Sequence, residues 1–139
     1  MAKNSNSALP FFYKLSAVWG AHEGSLLLWV WILSAWTVTV VLAARHLPAE
    51  FLAKICVILG GISAGFLLFL LATSNPFLRY LPDYPLDGRD LNPLLQDFGL
   101  VIHPPLLYIG YVGFSVPFAF ALSTLWHGST GLPWAKWMR

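Results

Sequence analysis

The chain has 139 residues, of which 58% are hydrophobic and 16% aromatic but only 10% charged. Soluble domains carry about 25% charged residues, so a soluble globular chain is excluded and a membrane protein is expected. A net charge of +2 without a basic run offers no footing for nucleic acid. The single cysteine, Cys56, excludes a disulfide framework, a CxxC redox pair and a CxxCH haem attachment site of the chain's own.

Residues 1–24 read as an N-terminal interfacial segment. Phe11-Phe12-Tyr13-Lys14 and Trp19 combine aromatic rings with a cation, a mixture that favours the headgroup zone. A secretory signal fits poorly, because the first apolar run begins late and is too long for an h-region. Residues 25–44 carry no charge and are long enough to cross a hydrocarbon core of about 30 Å. They form the first expected span. A short polar connection, 45–54, contains Arg45, His46, Glu50 and Lys54 and leads to a second span over 55–74. Within it, Gly61-Ile62-Ser63-Ala64-Gly65 has the small-residue spacing that lets two helices approach closely.

Residues 75–103 form a polar loop with Asp83, Asp87, Arg89, Asp90 and Asp97. The spacing of the acids fits no calcium loop, and Arg89 among them is expected to pair with one of them. Residues 104–126 carry no charge and supply the third span. Pro104 and Pro105 are expected in its first turn, where the missing amide hydrogens cost little, and Pro117 is expected to kink its interior. Residues 127–139 form a tail in which Trp134, Lys136, Trp137 and Arg139 make an interfacial belt. The expected fold class is all-α: a polytopic membrane protein with three transmembrane helices and an outward loop ending in His-Pro-Pro.

Three spans put residues 1–24 and the 75–103 loop on one side of the bilayer. Lys3, Lys14, Arg79 and Arg89 on that side balance Arg45, Lys54, Lys136 and Arg139 on the other, so a count of positive charges does not orient the chain. Arg45 and Lys54 crowd a very short connection, which favours that side as the inner one and the 75–103 loop as outward.

Among the four histidines, His46 and His127 flank spans and read as interfacial polar residues. His22, in Trp19-Gly20-Ala21-His22-Glu23-Gly24-Ser25, shares a helical face with Trp29 and Trp36 if the first span extends back to it. Its role, and that of Glu23, stays open between function and helix-end electrostatics. His103 is the strongest candidate. A helix N-terminus disfavours imidazolium, and a neutral imidazole is the usual protein ligand for haem iron. The competing reading is an interfacial histidine bonded to a loop carbonyl.

Three stretches carry a resemblance. Trp19-Gly-Ala-His-Glu-Gly-Ser-Leu-Leu-Leu-Trp29, Thr73-Ser-Asn-Pro-Phe77, and Gly88-Arg-Asp-Leu-Asn-Pro-Leu-Leu-Gln-Asp97 continuing through Gly99-Leu-Val-Ile-His-Pro-Pro-Leu-Leu-Tyr108 resemble the CcmF/NrfE family of cytochrome c-type biogenesis proteins. The resemblance implies a haem lyase component of cytochrome c maturation in the bacterial inner membrane, with the 75–103 loop facing the periplasm. It implies haem b as the delivered group, with His103 as one axial ligand to its iron. His22, Trp29, Arg89, Asp90, Asn92, Gln96 and Tyr108 are implied as support for that site. The implied partners are a haem chaperone of CcmE type, apocytochrome c, thiol-reducing assembly subunits, the remaining portion of the same protein and the lipid bilayer.

The family's Trp-rich haem-handling motif, its second outward histidine and its pair of in-membrane histidines have no counterpart in this sequence, and Phe98 stands where the family often has proline. The chain is therefore expected to be an internal portion of such a protein, inactive alone. A membrane scaffold that docks partner subunits without binding haem is the alternative. A transporter fragment fits less well, since no span carries an ionisable residue at mid-depth.

Overall fold

A computed structural model describes residues 3–79, 81–83 and 85–128. Its regular structure is helical throughout: α1 (Phe11–Ser16), α2 (His22–Ala43), α3 (Ala49–Thr73), a 3-10 turn (Pro93–Leu95), α4 (Phe98–Gly113) and α5 (Ser115–His127). Among the described residues there is no strand. Three stretches are long and apolar enough to cross a membrane: His22–Ala43, Ala49–Thr73 and Phe98–His127. The all-α, three-span expectation holds. The aromatic and basic belt at Trp134, Lys136, Trp137 and Arg139 lies outside the described residues.

The spans begin earlier than hydropathy suggests. Helix α2 starts at His22 and α3 at Ala49, so each recruits polar residues, Glu23 and Glu50, into its first turn, where an acid suits the helix macrodipole. The third difference matters most. Residues 98–103 were expected in the loop, but α4 begins at Phe98 and runs unbroken through His103-Pro104-Pro105. The loop does not end in the His-Pro-Pro motif; a helix carries it in its second turn. Asp97 provides the start signal, its Oδ1 accepting from the Gly99 amide at 2.6 Å, as an N-cap acid does.

The described residues fall into two compact units. The first draws on residues 1–29 and 68–107, and its core is a cluster of Leu9, Ala17 and Leu91 with Tyr13, Leu95 and Leu100 packed against it. Hydrogen bonds stitch the N-terminal segment to the loop over a long sequence distance. The Asp87 carboxylate accepts from the Ser7 hydroxyl at 2.6 Å and from the Ser7 amide at 3.1 Å, and Lys14 Nζ donates to the Ser7 carbonyl at 2.7 Å. In the loop, Asn92 caps the 3-10 turn by accepting from the Leu94 amide.

The second unit draws on residues 30–67 and 108 onward. Leu33, Phe51, Ile55, Leu59, Val112 and Ala119 are fully buried in it, and Phe51 meets Phe120 edge to face, with ring centroids 6.2 Å apart. Lys54 Nζ bridges Glu50 at 2.8 Å and His127 Nδ1 at 3.1 Å. An ammonium only donates, so His127 accepts at Nδ1. The break between α4 and α5 falls at Phe114, three residues before Pro117, whose ring removes the amide hydrogen due to the Gly113 carbonyl. Trp36 lies against Gly113, where an added Cβ would come within 3.3 Å of the indole, and its Nε1 donates to the Ile109 carbonyl at 3.0 Å.

The glycine run of α3 does not behave as its spacing suggests. A Cβ at Gly60, Gly61 or Gly65 would meet nothing within 4 Å. No helix among the described residues approaches that face.

Candidate functional site

His103 is the sixth residue of α4 and its side chain is exposed. It stands in the second turn, beyond the first turn in which a helix dipole acts. What defines the site is the backbone around it. Pro104 has no amide hydrogen, so the Leu100 carbonyl, four residues earlier, loses its helical donor. Trp19 supplies the replacement: its Nε1 donates to Leu100 O at 2.9 Å. A tryptophan from the turn preceding α2 thus takes up the carbonyl that Pro104 frees inside a continuous helix.

The residues at helical spacing from His103 are a glycine and two leucines. Gly99, four before, has no side chain, while Leu106 and Leu107, three and four after, are exposed. The exposed imidazole therefore has the Asp97 carboxylate beside Gly99 on one side and exposed leucines on the other. Among the described residues no three His, Cys, Asp or Glu side chains gather as a metal-ligand cluster.

His22 opens α2, and its Nδ1 lies 3.0 Å from Ser74 Oγ, which in turn is 3.3 Å from Thr73 Oγ1. The Trp-Gly-Ala-His-Glu-Gly-Ser and Thr-Ser-Asn-Pro motifs, 52 residues apart, therefore meet in the first unit. Ser74 is buried while His22 is exposed. The bond occupies Nδ1 and fixes the ring's direction, the arrangement by which a protein selects an imidazole tautomer. Gly24 makes the approach feasible. A Cβ there would collide with the Val18 carbonyl, so only glycine lets α2 start this close to the preceding turn.

The remaining predicted site residues serve the loop or the helices. Gln96 Nε2 donates to Leu91 O at 2.9 Å and to Asp90 Oδ1 at 3.4 Å, while Asp90 Oδ1 also accepts from the Leu91 amide at 3.0 Å. Asp90, Gln96 and Asn92 thus hold the shape of the loop that leads into α4. Arg89 is exposed, and among the described residues it forms no ion pair with the neighbouring acids, contrary to expectation. Asp87 turns to Ser7 and Gly88 instead. Donation by the Ser7 hydroxyl, then by the Gly88 and Ser7 amides, holds its carboxyl below the usual aspartate value of 3.8. Trp29 is half-buried on α2 in the first unit; Tyr108 is half-buried on α4 and belongs to the second. Trp19, expected only as an interfacial aromatic, makes the contact that sequence reasoning missed. The signal was present in a tryptophan beside a glycine turn and a proline whose helical acceptor had to be met by something.

Comparison with known proteins bears on the same stretches. Residues 19–136 match the family described as cytochrome C assembly protein. A Pseudomonas aeruginosa protein named cytochrome c-type biogenesis protein CcmF is 62% identical over 139 residues, all of this chain and 21% of that protein. The Haemophilus influenzae protein of the same name is 58% identical over 139 residues, all of this chain and 22% of that protein. A second Haemophilus influenzae protein, named cytochrome c-type biogenesis protein NrfE, is 49% identical over the full 139 residues and 22% of its own length. The chain thus spans about a fifth of the length of these relatives. No solved structure matches it. With the match running through the Trp19 turn, the Ser74 contact and the His103 helix alike, the chain belongs to the cytochrome c assembly protein family.

Proposed function

We propose that this chain is a haem-handling portion of a cytochrome c haem lyase, in which His103 is one axial ligand to haem b delivered for attachment to apocytochrome c. The observation that carries the reading is the exposed imidazole of His103 on a helix whose proline-freed carbonyl is taken up by Trp19. A ligand held on a rigid helix fixes the iron, and with it the direction of the vinyl edges. Each substrate thiol adds across one vinyl group, so sulfur and hydrogen both join the former double bond and nothing leaves. The second axial ligand comes from outside this chain. His22, oriented by Ser74, and Trp29 act as support for the site; Asp90, Asn92 and Gln96 hold the loop that presents α4, with Arg89 beside them and Tyr108 further along the helix.

On this reading the chain sits in the bacterial inner membrane with residues 75–97 and the start of α4 facing the periplasm. It receives haem from a chaperone of CcmE type and works with thiol-reducing assembly subunits and the rest of its own protein. The names of its relatives, cytochrome c-type biogenesis proteins, support a role in cytochrome c maturation. The test is to co-express the chain with the missing portion, purify the complex and compare reduced visible spectra with a His103→Ala version. A haem band that falls with the substitution supports ligation; an unchanged band with normal cytochrome c output overturns it.

A second reading has its own observation. The open Gly60, Gly61 and Gly65 face of α3 suits a scaffold that docks further helices without binding haem. Partner capture that survives His103→Ala and fails when these glycines are enlarged favours it.

A further inference from the structure

The first unit contains a cavity of about 610 Å³ that the haem reading does not use. Its walls come from the turn before α2, the start of α2 and the segment after α3, with Val18 and Phe77 among the apolar residues. Lys3, Arg79 and Glu23 bring charge of both signs to its lining, and Asn75 adds an amide. Within the described residues no ion pair or side-chain hydrogen bond takes up the charged groups of Lys3, Glu23 or Arg79. Three charges at one cavity with no partner among the described residues can each form a charge-assisted hydrogen bond to a ligand that enters.

The depth of the cavity narrows the choice. Helix α2 has 22 residues and α3 has 25, about 33 and 37 Å at roughly 1.5 Å per residue, against a hydrocarbon core of about 30 Å. Glu23 is the second residue of α2 and Arg79 follows the end of α3 by six, so both stand at headgroup level. The volume lies within the range of about 300–1,000 Å³ usual for small-ligand sites.

We infer that this cavity binds a zwitterionic phospholipid headgroup bearing a primary ammonium, as in phosphatidylethanolamine. The phosphate lies between Arg79, whose planar fork suits paired oxygens, and the Lys3 ammonium. The lipid ammonium donates to Glu23, and Val18 and Phe77 face the glycerol and first methylenes. The carboxylate selects against other occupants. A purely anionic lipid leaves Glu23 unpaired beside its own negative charge, and a choline headgroup has no N–H to donate. A dicarboxylate such as haem would bring its propionates against Glu23.

The test is native mass spectrometry of the 139-residue chain released from micelles containing equal amounts of ethanolamine, choline and glycerol phospholipids with identical acyl chains. The ethanolamine lipid is expected to be retained over the other two by about tenfold, the scale of one charge-assisted hydrogen bond. Glu23→Gln should lower its retention to the choline level. Arg79→Gln should lower retention of all three lipids by about tenfold, with Lys3→Gln as a second cation variant. Far-UV circular dichroism and tryptophan emission identify any variant that has lost its fold. Equal retention of the three lipids overturns the inference, as does unchanged selectivity in folded Glu23→Gln. Displacement of the lipid by free phosphoethanolamine would make the ligand a soluble zwitterion, and one-for-one displacement by haem would return the cavity to haem; either result overturns the assignment to lipid.

Discussion

The indole N–H of Trp19 donates to the Leu100 carbonyl at 2.9 Å, the same carbonyl that Pro104 deprives of its helical donor. An acceptor buried without a partner costs about 1–3 kcal/mol, so Trp19→Phe, which keeps the ring and removes only the donor, should destabilise the first unit by about that amount. Trp36→Phe is the matched control. Its acceptor, Ile109 O, still has the Gly113 amide four residues on, so its loss should be smaller. Thermal unfolding of the two variants in the same detergent, followed by circular dichroism, gives the comparison. Equal losses would mean that the proline-freed carbonyl is satisfied in another way.

Glycines in this chain should divide sharply by position. Gly24→Ala places a methyl against the Val18 backbone carbonyl, which cannot rotate away, and overpacking of this kind costs about 1–3 kcal/mol. Gly61→Ala meets open space and removes a glycine from a helix interior, so it should be neutral or stabilising by up to about 1 kcal/mol. Unfolding midpoints of both variants of the isolated chain separate them; a costly Gly61→Ala would mean that the chain self-associates through that face.

The tie between the N-terminal segment and the loop should depend on pH in one direction only. The Asp87 pKa is lowered in the folded chain by the Ser7 hydroxyl first, then by the Gly88 and Ser7 amides. A carboxyl with a depressed folded pKa contributes stability that is complete above its unfolded value and is lost as pH falls through the folded one. The tether should therefore be constant from pH 5 to 8 and loosen only below about 4. Hydrogen exchange at the Ser7 amide should accelerate below that pH in the native chain. In Asp87→Asn the exchange should be fast throughout, with no acid step.

The contact between Ser74 Oγ and His22 Nδ1 makes a prediction about tautomers. Ser74→Ala removes the group that engages Nδ1, and the ring's nitrogen-15 shifts should move towards a mixture of the two neutral forms. The stability cost should be about 1 kcal/mol, an ordinary hydrogen bond. If the shifts do not change, the tautomer is selected by something other than Ser74.

Much of the architecture could be read from residue types. Long uncharged runs marked the three spans, and clustered Asp, Asn, Pro and Gly marked the loop, because both signals are local. The start of α4 was misread for a physical reason. Proline disfavours helix in the residue before it, so His103-Pro104-Pro105 looked like a boundary, yet Asp97 caps the helix six residues earlier and Trp19 takes up the carbonyl that Pro104 frees. That bond joins residues 81 apart and leaves no trace in local pattern. The His22–Ser74 pair was hidden likewise: both motifs stood out, and only the fold shows that they touch. Arg89 illustrates the opposite error, since sequence proximity to four acids suggested a pair that does not form among the described residues.

The Ser7–Asp87 and Trp19–Leu100 bonds also set an order of biogenesis. Each joins residues about 80 positions apart, and the core of Leu9 and Ala17 is closed by Leu91. Until the ribosome has delivered residues up to Leu100, residues 7–19 lack the partners that hold them in this unit, whatever their own helical preference. By then α2 and α3 have both been synthesised and are available to the insertion machinery. Residues 7–19 are thus made well before the partners that hold them, and a stall in insertion of α3 would leave Phe11, Phe12 and Trp19 exposed to whatever holds nascent membrane proteins in check.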